Sequence, residues 1–318
     1  MADASTPGAT ATPPRAPTAV SANSAVSASA APVASQQRQG MLLFLAALLA
    51  FACYDAFAKQ MLAHYPATLM NLTRYVAVGS MAAVLLWRHG DWRLWRQPHQ
   101  KLLFLRSLML AIVATSFMTA LASMPLAEAT AIYFTAPLIM VALSPWVLGE
   151  QVGRVQWVAV LVGFAGMLLI VRPGGALPLT GTLLMALAAV CYALFQVLTR
   201  RLSGLVPAPV QYAYMAALCL VVTNLPALFS APVAWPGGFE LAVLVAGGFV
   251  SGAAQLLLLA AFRRVSASVL APMNYLQLLL AVLISTFWFQ RPPDALALGG
   301  MALIGAAGVY LALPRRLK

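Results

Sequence analysis

Three charged side chains sit where an apolar chain can least easily carry them: Asp55, Lys59 and Arg74, each inside or at the end of a long hydrophobic run. Ions are costly within a bilayer, so such residues mark substrate or ion paths unless they neutralise one another. Asp55 and Lys59 are four residues apart and share one helix face. Asn71 stands one turn from Arg74. One carboxylate facing two cations leaves a positive excess that suits a carboxylate, a phosphate or another electron-rich group. Asp55, the one acid well inside any hydrophobic run, could also carry a proton. The same ions could instead form a structural salt bridge between two helices, with Lys59 reaching to the interface. The residues leave both readings open.

A second set of candidates is neutral. Ala267, Ala271, Asn274, Gln277, Ala281 and Ser285 recur at helical spacing in a Leu-rich run that also holds Tyr275. Gly248, Ser251, Gly252 and Gln255 form a like stripe, and Tyr192 and Gln196 share a face. Small residues let membrane helices approach closely, so packing explains the Gly and Ala positions. The long amides Gln255, Asn274 and Gln277 need partners in lipid, so they should face the interior and could hydrogen-bond a substrate. Tyr54, Tyr75, Tyr133, Tyr192 and Tyr275 could stack a planar ligand, although single aromatics in such helices are more often packing. Arg106 lies near one helix end, where snorkelling or pairing with Glu150 explains it structurally. Glu150 also has Arg154 four residues on, and Glu128 opens a helix whose positive start suits a carboxylate. The three Cys and three His give no disulfide framework, metal-ligand spacing or catalytic triad. No metal, no cofactor and no enzymatic activity are expected.

The elements that must position these groups are membrane helices. Hydrophobic residues make up 62% of the 318-residue chain and charged residues 8%, far from soluble composition. A span needs roughly 20 apolar residues. Ten runs qualify, at about 40–62, 67–88, 102–122, 126–148, 155–172, 179–199, 208–230, 239–262, 267–289 and 295–313. Residues 1–38 are Ala, Ser, Thr and Pro in near-random order and read as a disordered cytoplasmic tail. Of 19 basic residues, 14 fall on one side if both termini are cytoplasmic, which fixes the orientation. The net charge of +12 therefore reflects topology, and nucleic acid is excluded as a partner. The expected partners are a small-molecule substrate and the lipid bilayer, with a homodimer also compatible.

Ala52-Cys53-Tyr54-Asp55-Ala56-Phe57 returns as Val190-Cys191-Tyr192-Ala193-Leu194-Phe195. Pro66-Ala67 returns as Pro207-Ala208, and Gly163-x-x-Gly166 as Gly305-x-x-Gly308. Residues 40–172 and 179–313 are thus two copies of a five-span unit. Five is odd, so the copies cross the membrane in opposite directions. The fold class is all-α integral membrane, ten transmembrane helices as two inverted five-helix repeats. Such inversion is a transporter signature, because the repeats can exchange conformations about a central site. Pro137 and Pro272 interrupt the fourth helix of each repeat, where transporter sites are often built.

On these residues the chain resembles the drug/metabolite transporter superfamily, specifically the ten-span EamA-type permeases. The resemblance covers residues 40–313. It rests on the duplication and on Arg74 after Asp55-x-x-x-Lys59. It rests also on Leu126-Ala127-Glu128-Ala129-Thr130-Ala131 leading to Pro137, Leu148-Gly149-Glu150, and Ala271-Pro272-x-x-Tyr275-Leu276-Gln277. Phe289-Gln290 stands where the second repeat of such proteins often has Gly-Glu. The resemblance implies a secondary transporter of a small polar metabolite in the bacterial inner membrane. Amino acids, riboflavin, S-adenosylmethionine and organic anions are the candidate substrates, with proton coupling one option. The alternatives are a channel and an intramembrane enzyme.

Overall fold

The computed structural model describes residues 19–89, 99–147, 152–171, 177–202, 205–225, 235–262, 264–265 and 270–312. They form α1 (Ala19–Met61), α2 (Ala67–His89), α3 (Gln100–Ser123), α4 (Leu126–Tyr133), α5 (Ala136–Val147), α6 (Arg154–Val171) and α7 (Leu179–Leu202). α8 (Ala208–Val222), α9 (Gly238–Phe262), a 3-10 turn (Ala271–Asn274), α10 (Tyr275–Phe287) and α11 (Ala295–Ala312) follow. No strand occurs among the described residues. A chain this apolar satisfies its backbone in lipid by closing every hydrogen bond within its own helices.

Seven helical segments are long and apolar enough to cross a membrane, and three shorter apolar helices accompany them. They take the ten expected places: α4 with α5 is the fourth span, and the 3-10 turn with α10 is the ninth. Only Gln36–Met61 of α1 has spanning character. The part from Ala19 to Arg38, which composition reads as tail, is helical in the structure. Alanine has the highest helix propensity, so this Ala-rich segment can wind as an extension of α1. The seventh span stops at Val222, short of the expected 230. There Thr223 Oγ1 donates to the Cys219 carbonyl at 2.7 Å and Asn224 Nδ2 to that of Leu220 at 2.7 Å.

Both fourth helices are broken. Pro137 has no N–H to offer Tyr133, and the chain takes a non-helical step between α4 and α5. Thr135 bridges the break, its backbone N–H and its hydroxyl both donating to the Ile132 carbonyl, at 3.1 and 2.7 Å. In the second repeat, Pro272 lies in the 3-10 turn that precedes α10.

The repeats pack on each other more than within themselves, and the pattern has two-fold logic. The first span lies on the eighth as the third lies on the sixth. The second packs on the eighth as the seventh packs on the third, and the first meets the ninth as the sixth meets the fourth. The second–seventh, fourth–ninth and fifth–tenth contacts are their own counterparts. Exchanging each span with the one five later therefore maps these contacts between the repeats onto one another. Glycines set the closest approaches. Gly166 and Gly300 bring the fifth and tenth spans together backbone to backbone, and Gly308 receives the Tyr275 ring. Outside the membrane, Tyr65 bonds to Glu240, and that carboxylate holds the phenol above its usual range.

Candidate functional site

The core between the repeats contains an aromatic group with few ions. Tyr133, the last residue of α4 before the break, lies 4.9 Å centroid to centroid from Tyr192 and 5.1 Å from Phe117. Tyr192 stacks on Phe195 at 5.9 Å. Across the pseudo-axis Phe134 meets Tyr275 at 6.0 Å, so the two broken helices touch at their breaks. Tyr54 is the repeat counterpart of Tyr192. Its ring carries the Arg74 guanidinium at 4.9 Å, and Tyr75 lies beneath the same group at 5.6 Å.

Asp55 projects from the middle of this region, half-buried. Its Oδ2 accepts from Gln277 Nε2 at 3.3 Å, a bond that joins the first span to the ninth and one repeat to the other. Among the described residues no ion pair within 4 Å joins Asp55 to Lys59 or Arg74. Lys59 turns away from Asp55, and its Nζ donates to the carbonyls of Leu121 and Ala122 at 2.7 and 3.3 Å. These are last-turn carbonyls of α3, and a cation there satisfies both the orphan acceptors and the negative helix end. Arg74 keeps its charge on aromatic faces, and its Nε is buried without a partner.

Several polar atoms aimed into this interior also lack partners. Asn71, fully buried, donates Nδ2 to the Ala114 carbonyl at 3.4 Å, while its Oδ1 accepts nothing. The hydroxyls of Tyr54 and Tyr275 are buried and unpartnered. Buried polar groups are normally satisfied, and these orphans make the interior a candidate binding site. Among the described residues no group of three or more His, Cys, Asp or Glu side chains is gathered together.

Of the residues singled out in the sequence, the structure thus brings Asp55 and Gln277 into contact. It sets Arg74, Asn71, Tyr192 and Tyr275 around the same interior and directs Lys59 elsewhere. Asn274 ends the 3-10 turn as the residue before α10 and makes no side-chain cap. Gln196 is half-buried on α7. Gln255 lies apart from Asp55, in a cavity with Arg106. Arg106 itself is 6% exposed, so the snorkelling expectation for it does not hold, because its side chain turns into the bundle rather than toward the helix end. Glu150, its expected partner, falls outside the described residues. Tyr133 was legible only as one aromatic among several. Its position just before the Pro137 break is the signal that could have singled it out.

Residues 38–172 and again 179–313 match the EamA-like transporter family. An S-adenosylmethionine uptake transporter of Rickettsia bellii is 30% identical over 65% of this chain and 70% of its own length. A riboflavin transporter of Rhizobium johnstonii is 27% identical, over 76% and 83%. The pseudopaline exporter CntI of Pseudomonas aeruginosa is 28% identical, over 88% of this chain and 98% of its own. A solved crystal structure superposes with a TM-score of 0.61 at 26% identity, covering 86% of this chain and 97% of that one.

Proposed function

The chain belongs to the EamA-like transporter family, and on that premise we propose that Asp55, Arg74, Asn71, Gln277 and the surrounding tyrosines bind the solute it carries. The protein is an integral membrane permease with two inverted repeats. We assign it alternating access, in which the repeats exchange conformations about this site. The observation that carries the reading is the Asp55–Gln277 hydrogen bond at 3.3 Å, which ties the repeats together among unsatisfied polar atoms. A solute offering its own donors would replace that bond. Separate seats for an anionic group at Arg74 and a cationic group at Asp55, with tyrosine faces between, suit a zwitterionic or planar metabolite. S-adenosylmethionine and riboflavin, named for the relatives, are the first to try. Those names include an uptake transporter and an exporter, and a site opened alternately to both sides serves either direction.

The basic-residue bias supports a cytoplasmic membrane location with both termini inside. A reporter fused after Arg264 should then read cytoplasmic, and a periplasmic signal there would reverse the topology.

Counterflow in proteoliposomes tests the function. Vesicles loaded with S-adenosylmethionine, riboflavin, amino acids or mono- and dicarboxylates are diluted into labelled tracer. One solute should accelerate tracer influx. Silence across the panel from protein shown to be folded would sink the substrate classes proposed. If Asp55 carries the coupling proton, Asp55→Asn loses uphill accumulation and retains exchange. A variant that fails to fold in the membrane instead makes Asp55 a structural ion.

A further inference from the structure

Arg106 is a buried guanidinium whose known contacts are all neutral. Its Nε donates to Thr199 Oγ1 at 2.7 Å and one Nη to the Gln211 carbonyl at 3.3 Å. Its plane lies over the Phe195 ring at 4.5 Å. Among the described residues the second terminal nitrogen has no partner, and no carboxylate lies within 4 Å of the group. Beside it is a cavity of about 170 Å³ lined by Arg106, Thr199, Gln211, Tyr212, Gln255 and apolar side chains. Tyr212 is 5% exposed and its hydroxyl is buried without a partner. A buried cation with no anion beside it costs several kcal/mol. Among the described residues Arg106 has none, and the empty Tyr212 donor and the Gln255 amide stand ready beside it to receive one.

We propose that this cavity is a second binding site, for an oxyanion, a carboxylate or phosphate group, held by Arg106 with the Tyr212 hydroxyl and the Gln255 amide. Each of those groups can donate, as an oxyanion requires. The volume corresponds to about six waters, room for such a group with part of the molecule that bears it. The site is separate from the interior around Asp55. Thr199 lies seven residues beyond Tyr192 on α7, about 10 Å along the helix, and the stacked Tyr133, Tyr192 and Phe195 rings run from one to the other. It goes beyond the carrier reading and is tested without transport.

The probes are sodium acetate and inorganic phosphate, with chloride holding ionic strength constant, and the readout is thermal unfolding of the purified full-length protein in detergent. Acetate or phosphate should raise Tm saturably in the unaltered protein. Arg106→Gln should weaken half-saturation by at least about tenfold, and Tyr212→Phe should weaken it less. Arg74→Gln removes the anion seat proposed for the carried solute, and the part of the response that belongs to this cavity should persist in that variant. A parallel series with phosphatidylglycerol against phosphatidylcholine separates the source. A rise seen with phosphatidylglycerol alone and lost in Arg106→Gln assigns the same site to a lipid phosphate. No saturable rise with any probe overturns the proposal, and so does a rise in the Arg74→Gln protein that survives the addition of Arg106→Gln. If Arg106→Gln does not fold, Tyr212→Phe and Gln255→Leu decide. Unchanged anion responses in both would make Arg106 a purely structural pin.

Discussion

Gly248 is the position at which helix packing most directly controls a candidate site residue. A Cβ placed there would lie 2.9 Å from Arg74 Cα, 2.9 Å from the Thr73 carbonyl oxygen and 2.9 Å from Ala77 Cβ. Ordinary contact begins near 3.4–4 Å, so Gly248→Ala must push α2 and α9 apart by roughly 0.5–1 Å, about the scale at which overpacking costs ~1–3 kcal/mol. Two of the three contacts are backbone, and no side chain can rotate away. Replacing Gly by Ala inside a helix gains up to about 1 kcal/mol of propensity, which would blur the result if read alone. Gly305→Ala removes that ambiguity: it is also a helix-interior substitution, and nothing lies within 4 Å of its added Cβ. Propensity cancels in the difference, leaving Gly248→Ala about 1–3 kcal/mol less stable than Gly305→Ala. Unfolding both variants in the same detergent measures this, and counterflow then reports whether the shifted Arg74 weakens solute binding. Equal stabilities would refute the claim that α9 rests on the backbone of α2 at Arg74.

Three further outcomes are expected. Lys59→Met removes the cation from the α3 carbonyls and should cost about 1–2 kcal/mol with little change in apparent solute affinity; a large loss of affinity in a stable variant would return Lys59 to the site. Tyr275→Phe deletes a buried hydroxyl that has no partner, so stability should hold within about 0.5 kcal/mol while KM for the transported solute rises; a clear destabilisation would mean that the hydroxyl is bonded. Gln290 has φ 52°, in the left-handed region that glycine adopts freely, so Gln290→Gly should stabilise the end of α10 by about 1 kcal/mol, as chemical denaturation would show. A loss of stability there would mean that the bond from Gln290 Nε2 to the Phe287 carbonyl at 2.8 Å outweighs the strain.

Hydropathy and repetition made the scaffold legible, because a bilayer imposes span length and a duplicated chain repeats its punctuation. The ten apolar helices, the doubled five-span unit and the breaks at Pro137 and Pro272 all follow from such local signals. Counting residues from a span end gives depth and says little about azimuth. Asp55, Lys59 and Arg74 have suitable depths to form one cluster, but a flexible Lys stem chose the free carbonyls at the end of α3. Arg106 failed for the same reason: its depth suggested the interface, while its direction carries it between α3, α7 and α8. The partner that Asp55 does have, Gln277, lies 222 residues away, and no spacing rule couples such positions.

The two-fold packing gives the Arg106 cavity a meaning beyond its own chemistry. It lies where the third, sixth, seventh and eighth spans meet. Under exchange of the repeats the corresponding place is where the eighth, first, second and third spans meet. There Gly247 admits the Phe57 ring, Gly248 rests on Arg74, and Gly252 faces Met81, so the helices close on one another through glycines. Equivalent junctions thus pack differently, with a cavity beside Arg106 in one and close helix contacts at these glycines in the other. A difference between equivalent junctions is what the alternating access proposed here would use, since inverted repeats that exchange conformations exchange such places. The sequence divergence has the same sense, with Asp55 opposite Ala193. The repeats supply two interchangeable shapes, and the unequal charges give the solute a different environment in each.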